Sequence, residues 1–363
     1  MITVSVVIPA YNAASHLAAT LQSASAQTVR DLEIIVVDDG SNDDTSAVGE
    51  ALAASDDRIR VIRCANGGVA RARNIGIAQS RGRFVAPLDA DDLWHPRKLE
   101  LQLKRFQERP DAGLVYNWFR RIDEADRVIV GSACRLVEGW VLHRHLLNNF
   151  IANGSTPLIR RELLDDIRYD PALRDAGNGG CEDYLLQLQL ALRVPFACAP
   201  AFLTGYRRTV GAMSFDVGRM IRSNIQVLET IEPHVPKSAR AVVRWRLAGF
   251  QMELARNRAR RGAFGKAAVA VGKALSLDVV AVLQAPQAQL TQRLAARAGA
   301  RAPKSHSFLA WPVADADAVR REPSRRLDTL CARLDLEAPT PTTFQGLQHA
   351  IEGSRQRHHE ASK

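Results

Sequence analysis

Two acidic clusters stand out in the first hundred residues. They are Asp38-Asp39 and Asp89-Ala90-Asp91-Asp92, the second setting three carboxylates within four positions. Like charges held that close repel, and a cation or a solvated loop must offset the cost. Hard carboxylate oxygens suit Mg2+ or Mn2+, which keep waters and ligand phosphates as further ligands. Asp38-Asp39-Gly40-Ser41 reads equally well as a turn opening a helix, with Ser41, Asp43 or Asp44 as N-cap. A third acidic pair, Glu182-Asp183, starts an amphipathic run to Arg193, and by itself it is a helix cap. No Gly-x-Gly-x-x-Gly and no P-loop spacing occurs, so neither a Rossmann cofactor nor an ATP cradle has support.

The elements that must position these groups alternate. Val4 to Pro9, Glu33 to Val37, Ile59 to Ile62 and Arg83 to Leu88 are β-branched or apolar runs. Between them, Ser15 to Gln27, Thr45 to Ala54 and Gly68 to Ser80 carry helical spacing. Strand and helix in this rhythm predict a mainly parallel α/β sheet, with both acidic clusters beyond the carboxyl ends of strands, where such sheets bind ligands. Pro96 to Arg109 predicts a further helix and Gly113 to Phe119 a further strand, whereas 120–180 mixes short elements with polar loops. Residues 216–295 are helical in pattern, and Arg256 to Leu277 resembles a hairpin turning at Gly262.

These pieces, in this order, resemble a family 2 glycosyltransferase. Val6-Val7-Ile8-Pro9-Ala10-Tyr11-Asn12 and Val36-Val37-Asp38-Asp39-Gly40-Ser41 with Asp44-Thr45 open the match. Asn66-Gly67-Gly68, Ala70-Arg71-Ala72-Arg73-Asn74-Ile75-Gly76 and Asp89-Ala90-Asp91-Asp92 continue it, followed by Pro96, Lys98 and Leu99. Ser155-Thr156 with Ile159-Arg160-Arg161, Glu182-Asp183-Tyr184, and Tyr206-Arg207 with Gly211 and Met213-Ser214 resemble the acceptor half. The resemblance covers roughly residues 3–215. It implies an A-type (GT-A) nucleotide-diphospho-sugar transferase fold and transfer of a sugar, with inversion, from a nucleotide diphosphate to a hydroxyl.

Carried onto this chain, the resemblance puts Pro9, Ala10, Tyr11 and Asp39 at the base and ribose. Asp89 and Asp91 become the outer carboxylates of an Asp-x-Asp motif, with Asp91 and Asp92 at a Mn2+ or Mg2+ ion. Arg71 and Arg73 cannot share one helix face, so at most one reaches the nucleotide; Arg73 is assigned that role. A bound cation would stabilise the leaving diphosphate. The acceptor hydroxyl then needs one base, and the family's base matches Asp183, with Glu182 a helper or surface residue. Where many members carry a histidine after the Tyr-Arg pair, this chain has Arg208-Thr209, which leaves Arg207 or Arg208 to hold phosphate. Trp94 and Trp118 read as core or sheet-edge residues, and His143 and His145 as exposed. A sugar-phosphate nucleotidylyltransferase is an alternative on the same fold class, although Pro9-Ala10-Tyr11-Asn12 lacks its glycine- and arginine-rich first turn. A non-catalytic nucleotide-sugar-binding or adaptor protein is another.

The 363 residues allow two domains or one with an appendage. Apolar runs are too short to span a bilayer, and Ala267 to Leu283 is broken by Lys273 and Asp278. No leader pattern opens the chain, and five scattered cysteines (64, 134, 181, 198 and 331) suit reduced thiols, so a cytoplasmic location is expected. The net charge of +10 is uneven: residues 1–215 hold 25 basic and 26 acidic residues, leaving 24 and 13 in 216–363. The expected organisation is a catalytic domain over 1–215, a helical region over 216–295 and a basic, partly disordered tail over 296–363, with a short helix around Leu327 to Leu334. The expected partners are a nucleotide-sugar donor, UDP-linked, and a saccharide or lipid-linked acceptor, in cell-surface polysaccharide synthesis. No nucleic acid is expected. Two readings of the basic region stand: it packs on the catalytic domain or a second subunit, or it contacts the inner face of an anionic membrane.

Overall fold

A computed structural model of the chain describes residues 2–131, 136–208 and 216–283. Gly211, Met213-Ser214, the expected tail over 296–363 and its short helix lie outside the described residues. The first part is strictly alternating: β1 (Val4–Ala10), α1 (Ala14–Ser25), β2 (Leu32–Asp38), α2 (Thr45–Ala53), β3 (Ile59–Arg63), α3 (Val69–Ala78) and β4 (Phe84–Pro87). Then come β5 (Leu93–Trp94), α4 (Lys98–Glu108), β6 (Leu114–Ile122), β7 (Val128–Gly131), α5 (Leu142–Leu147), β8 (Leu158–Arg160), α6 (Ala172–Asp175), α7 (Glu182–Ala191) and β9 (Phe196–Arg207). The helices α8 (Val217–Ile231), α9 (Lys237–Arg260) and α10 (Phe264–Leu277) follow.

One sheet runs β3-β2-β1-β4-β8-β6-β9-β5, with β7 beside β6. The β3-β2-β1-β4 half is all parallel. Past β4 the sheet is mixed: β8 is antiparallel to both β4 and β6, while β6 and β9 are parallel. Side chains of β1 alternate between two cores, as the two-residue period of a strand requires. Val4, Val6 and Ile8 pack with Leu17 and Leu21 of α1 and Leu99 and Phe106 of α4. Val7 points the other way, toward Ala70 and Ile77 of α3. A strand covered on both faces must be apolar throughout, which is why Ile34 to Val37 read as a continuous run.

Helices α8 and α9 belong to the same core as the sheet. Ile221, Ile225, Leu228, Val243 and Leu247 cluster with Leu186 and Leu190 of α7 and Leu114 of β6. The turn between α9 and α10 is at Gly262, whose φ of 74° lies in the left-handed region that favours glycine. Trp94 and Trp118 are buried core residues, as the sequence predicts. His143 and His145 overturn their expectation of exposure: both are buried, with Nε2 of each 3.1 Å from Ser238 Oγ and Gln187 Oε1 respectively. Among the described residues no helix is long and apolar enough to cross a membrane.

Candidate active site

The carboxyl ends of β1 and β2 lie side by side, tied by the Asp39 N–H donating to the Ala10 carbonyl at 2.8 Å. Pro9 and Ala10 are buried, and Tyr11 stands 51% exposed at the mouth. Polar bonds lace residues 12–14 to 41–45: Asn12 N–H to Ser41 Oγ at 3.0 Å, Asn42 N–H to Asn12 Oδ1 at 2.9 Å, Ala13 N–H to Thr45 Oγ1 at 2.7 Å. Asp38 behaves as the turn reading predicts, its Oδ1 accepting the Ser41 N–H at 2.9 Å. Asp39 does something else. Its two oxygens accept the N–H groups of Gly67 and Gly68, both at 2.7 Å, and so pin the start of α3 to the end of β2. Oδ1 also accepts from Cys64 Sγ at 3.8 Å, so the lone pair left for a ligand donor is on Oδ2.

Beyond β4 the three aspartates part company. Asp89 is half-buried and pairs with the Arg73 guanidinium, whose other arm reaches Glu182 at 3.2 Å. Arg73 was expected on the donor, yet it is 3% exposed and committed to these two carboxylates, with its guanidinium 5.0 Å from the Tyr169 ring centroid. Burial disfavours its charge, but Asp89, Tyr169, Glu182 and Asp183 hold it protonated above the ordinary range. Asp92 was expected at the metal with Asp91. Instead it is fully buried and faces inward, Oδ1 accepting the Arg207 N–H at 2.9 Å. Its Oδ2 accepts Ser155 Oγ at 2.6 Å and Asn153 Nδ2 at 3.1 Å. Both oxygens are spent on the fold, so Asp92 organises the loop rather than facing a ligand.

Asp91 remains. Its carboxylate accepts from no side chain among the described residues, and burial together with neighbouring Asp89 pushes its pKa up to about 6. Such a crowded, under-partnered carboxylate is what a hard divalent ion relieves, and Mg2+ or Mn2+ needs only one or two protein carboxylates when phosphates supply the rest. Among the described residues no cluster of three or more His, Cys, Asp or Glu forms a protein-only cage. The donor set therefore fits a shared metal–diphosphate site centred on Asp91.

Helix α7 brings the last group. Cys181 is its N-cap residue and makes no side-chain cap bond, so Asp183 is not the cap. Asp183 is half-buried, makes no ion pair among the described residues, and accepts only the Tyr184 N–H, at 2.8 Å. Burial first, then Glu182 and Asp89, raise its pKa to about 7 against the opposing pull of Arg73. Chain segments a hundred residues apart thus place Arg73, Asp89, Glu182 and Asp183 in one electrostatic cluster.

Arg207 is a correction as well. It was offered as a phosphate ligand, but its side chain is 1% exposed. Nε donates to the Asp91 carbonyl at 2.7 Å, one Nη to the Asp123 carbonyl at 2.8 Å, and the other pairs with Asp126. It clamps the acidic loop to the β6–β7 turn. Gly154 went unread in the sequence: a Cβ there would stand 3.0 Å from Arg73 Nη2 and 3.4 Å from Asp89 Oδ2, so the backbone passes close to the cluster. The only signal for it was its place beside Ser155-Thr156.

The family described as Glycosyl transferase family 2 matches residues 5–168. This span holds the turn after β1, the pinned glycines and all three loop aspartates. The chain carries a family 2 glycosyltransferase domain. Chondroitin synthase of Pasteurella multocida (strain Pm70) is 38% identical over 178 residues, 47% of this chain but 18% of that protein. An uncharacterized glycosyltransferase of Nostoc sp. is 39% identical over 191 residues, 50% of this chain and 58% of the relative. The chain thus spans less than two thirds of either relative. Among solved structures, S. aureus TarS 1-349 superposes with a TM-score of 0.56 at 18% identity, covering 82% of this chain and 92% of that one. The mannosyltransferase PcManGT from Pyrobaculum calidifontis, in complex with GDP-Man and Mn2+, gives 0.51 at 18% identity, covering 81% and 80%. At these identities the likeness concerns the fold, which is the GT-A glycosyltransferase fold, and in this chain it continues past the family 2 domain through β9 and the helices.

Proposed function

We propose that the chain transfers a sugar, with inversion and with a divalent cation, from a UDP-linked donor to a hydroxyl of a saccharide or lipid-linked acceptor. The observation that carries this reading is the Arg73 bridge, which joins Asp89 of the acidic loop beyond β4 to Glu182, the residue before Asp183. Asp39 and the Gly67-Gly68 turn hold the base, because the spare lone pair on Asp39 Oδ2 suits a ring N–H such as that of uracil. Asp91 holds the metal ion, Mn2+ or Mg2+, which when bound acts as a Lewis acid toward the departing diphosphate. Asp183 takes the acceptor proton as the acceptor oxygen bonds to the anomeric carbon and the bond to phosphate breaks on the opposite face. A pKa near 7 suits a base at neutral pH, since ionisation and basicity are then balanced. Arg73 does not touch the donor in this reading; it joins the Asp89 loop to the start of α7 and so sets the distance between donor and base. Relatives named as chondroitin and hyaluronan synthases support a polysaccharide product.

The test is UDP release and product analysis with a panel of UDP-sugars, in Mn2+ and in EDTA. Inverted product that depends on Mn2+, with Asp183→Asn binding UDP normally but transferring at least about a hundredfold more slowly, is the expected result. Transfer at the wild-type rate by Asp183→Asn removes the base assignment.

A further inference from the structure

A groove of about 510 Å³ runs between α8, α9 and α10 and shares no residue with the carboxylate cluster. Its walls carry Arg222 from α8, Arg258 from α9, and Lys266 and Lys273 from α10, against one carboxylate, Glu229. None of these four cations makes an ion pair among the described residues. The two arginines are held at the rim by neutral partners: Arg222 Nε donates to Asn178 Oδ1 at 3.2 Å, and Arg258 Nη1 to the Lys266 carbonyl at 3.0 Å. Bonds of that kind orient a guanidinium without neutralising it. The floor is apolar at Leu254, and beside it lies Gln251, 5% exposed.

We propose that this groove binds the phosphate groups of a phosphate-bearing acceptor, as a diphosphate or phosphodiester. Arg222 also acts on Asp216 outside the groove, yet four cations still exceed the two carboxylates that face them, and a multiply charged phosphate matches the surplus. Arginine forks take two phosphate oxygens at once, and the lysines add point charges. One lining residue, Asn178, lies in the loop that leads into α7 and Asp183, and Arg219 Nε holds the next residue, donating to the Gly179 carbonyl at 3.0 Å. An acceptor anchored there enters the site beside Asp183. The word acceptor rests on the transfer reading above; phosphate binding itself does not.

The full chain is titrated calorimetrically with inorganic pyrophosphate in EDTA, which removes metal-assisted binding at Asp91. Lys266→Glu/Lys273→Glu changes two exposed side chains of α10, and Arg222→Gln is a second, independent variant. Saturable binding that falls about tenfold or more in the double variant and weakens with salt is expected, with UDP–Mn2+ binding unchanged as the check on folding. Equal affinity in wild type and variants, or no binding by the wild type, overturns the proposal. So does binding to phosphatidic acid vesicles without affinity for pyrophosphate, which would mean attraction to a flat charged surface. Donor turnover without pyrophosphate binding fails this inference alone; pyrophosphate binding without donor turnover fails the transfer reading alone.

Discussion

Asp183 keeps its proton up to about pH 7 because burial and Glu182 outweigh Arg73. Only the ionised form accepts a proton, so kcat/KM should rise with pH through about 7 and level off above it, and a pH–rate profile measures this directly. The same shift bears on stability with a definite sign. The unfolded chain releases this proton near 3.8 and the native one near 7, so between those values the native state binds more protons and stability falls as pH rises. Asp183→Asn removes that cost. At pH 8 its Tm should exceed the wild type's by about 2–4 °C for each kcal/mol regained, and near pH 4 the two should coincide. A variant that is both inactive and more heat-resistant fits a residue kept for chemistry. Asp91→Asn should behave differently: UDP affinity without metal stays, and the gain on adding Mn2+ disappears. An unchanged Mn2+ effect in that variant would move the metal elsewhere.

Between elements, the decisive contact is Arg207 at the end of β9. Replacing it with leucine leaves the part-buried Asp91 and Asp123 carbonyls and the Asp126 carboxylate without their donor, a loss of about 2–4 kcal/mol. Denaturant unfolding should show that loss, and UDP titration should show Mn2+-dependent binding weakened more than metal-free binding, because Asp91 is no longer held. This clamp was not legible in the sequence. Tyr206-Arg207 identified a position, but its bonds depend on β9 pairing with β6 and β5, and β9 itself was not readable. Pro200 and Gly205 argue against a strand, yet β6 pairs Asn117 with Ala199 and Trp118 with Phe202, so Pro200 falls in the irregularity and its missing N–H costs no ladder bond. The first four strands were legible because each is a short apolar run between turn residues, and their ends are where Asp39 and Asp89 to Asp92 stand. What separates Asp91 from Asp92 was not legible: both are aspartates in one loop, and Ser155 and Asn153, sixty residues on, together with the Arg207 N–H, draw the second one inward.

Across the whole molecule, the shift to helix and positive charge near residue 215 does not coincide with an edge of the core. Ile221, Ile225, Val227, Leu228 and Ile231 are each at most 7% exposed, packed into the cluster that holds α7. At about 1.5–3 kcal/mol per buried side chain, losing these alone approaches or exceeds the 5–15 kcal/mol that holds a typical domain folded. A chain ending near residue 215 should therefore lack a cooperative thermal transition and elute as aggregate, which calorimetry and size-exclusion chromatography can check. The sheet carries a second consequence, one of timing. Among the described residues its two halves meet only through β8, whose Leu158–Arg160 bonds β4 on one side and β6 on the other. As the chain leaves the ribosome at about 5–20 residues per second, β4 waits several seconds with one edge open before β8 exists to close it. An open edge is a template for pairing with another nascent chain, so this interval is when the protein is most exposed to misassembly and most dependent on chaperones.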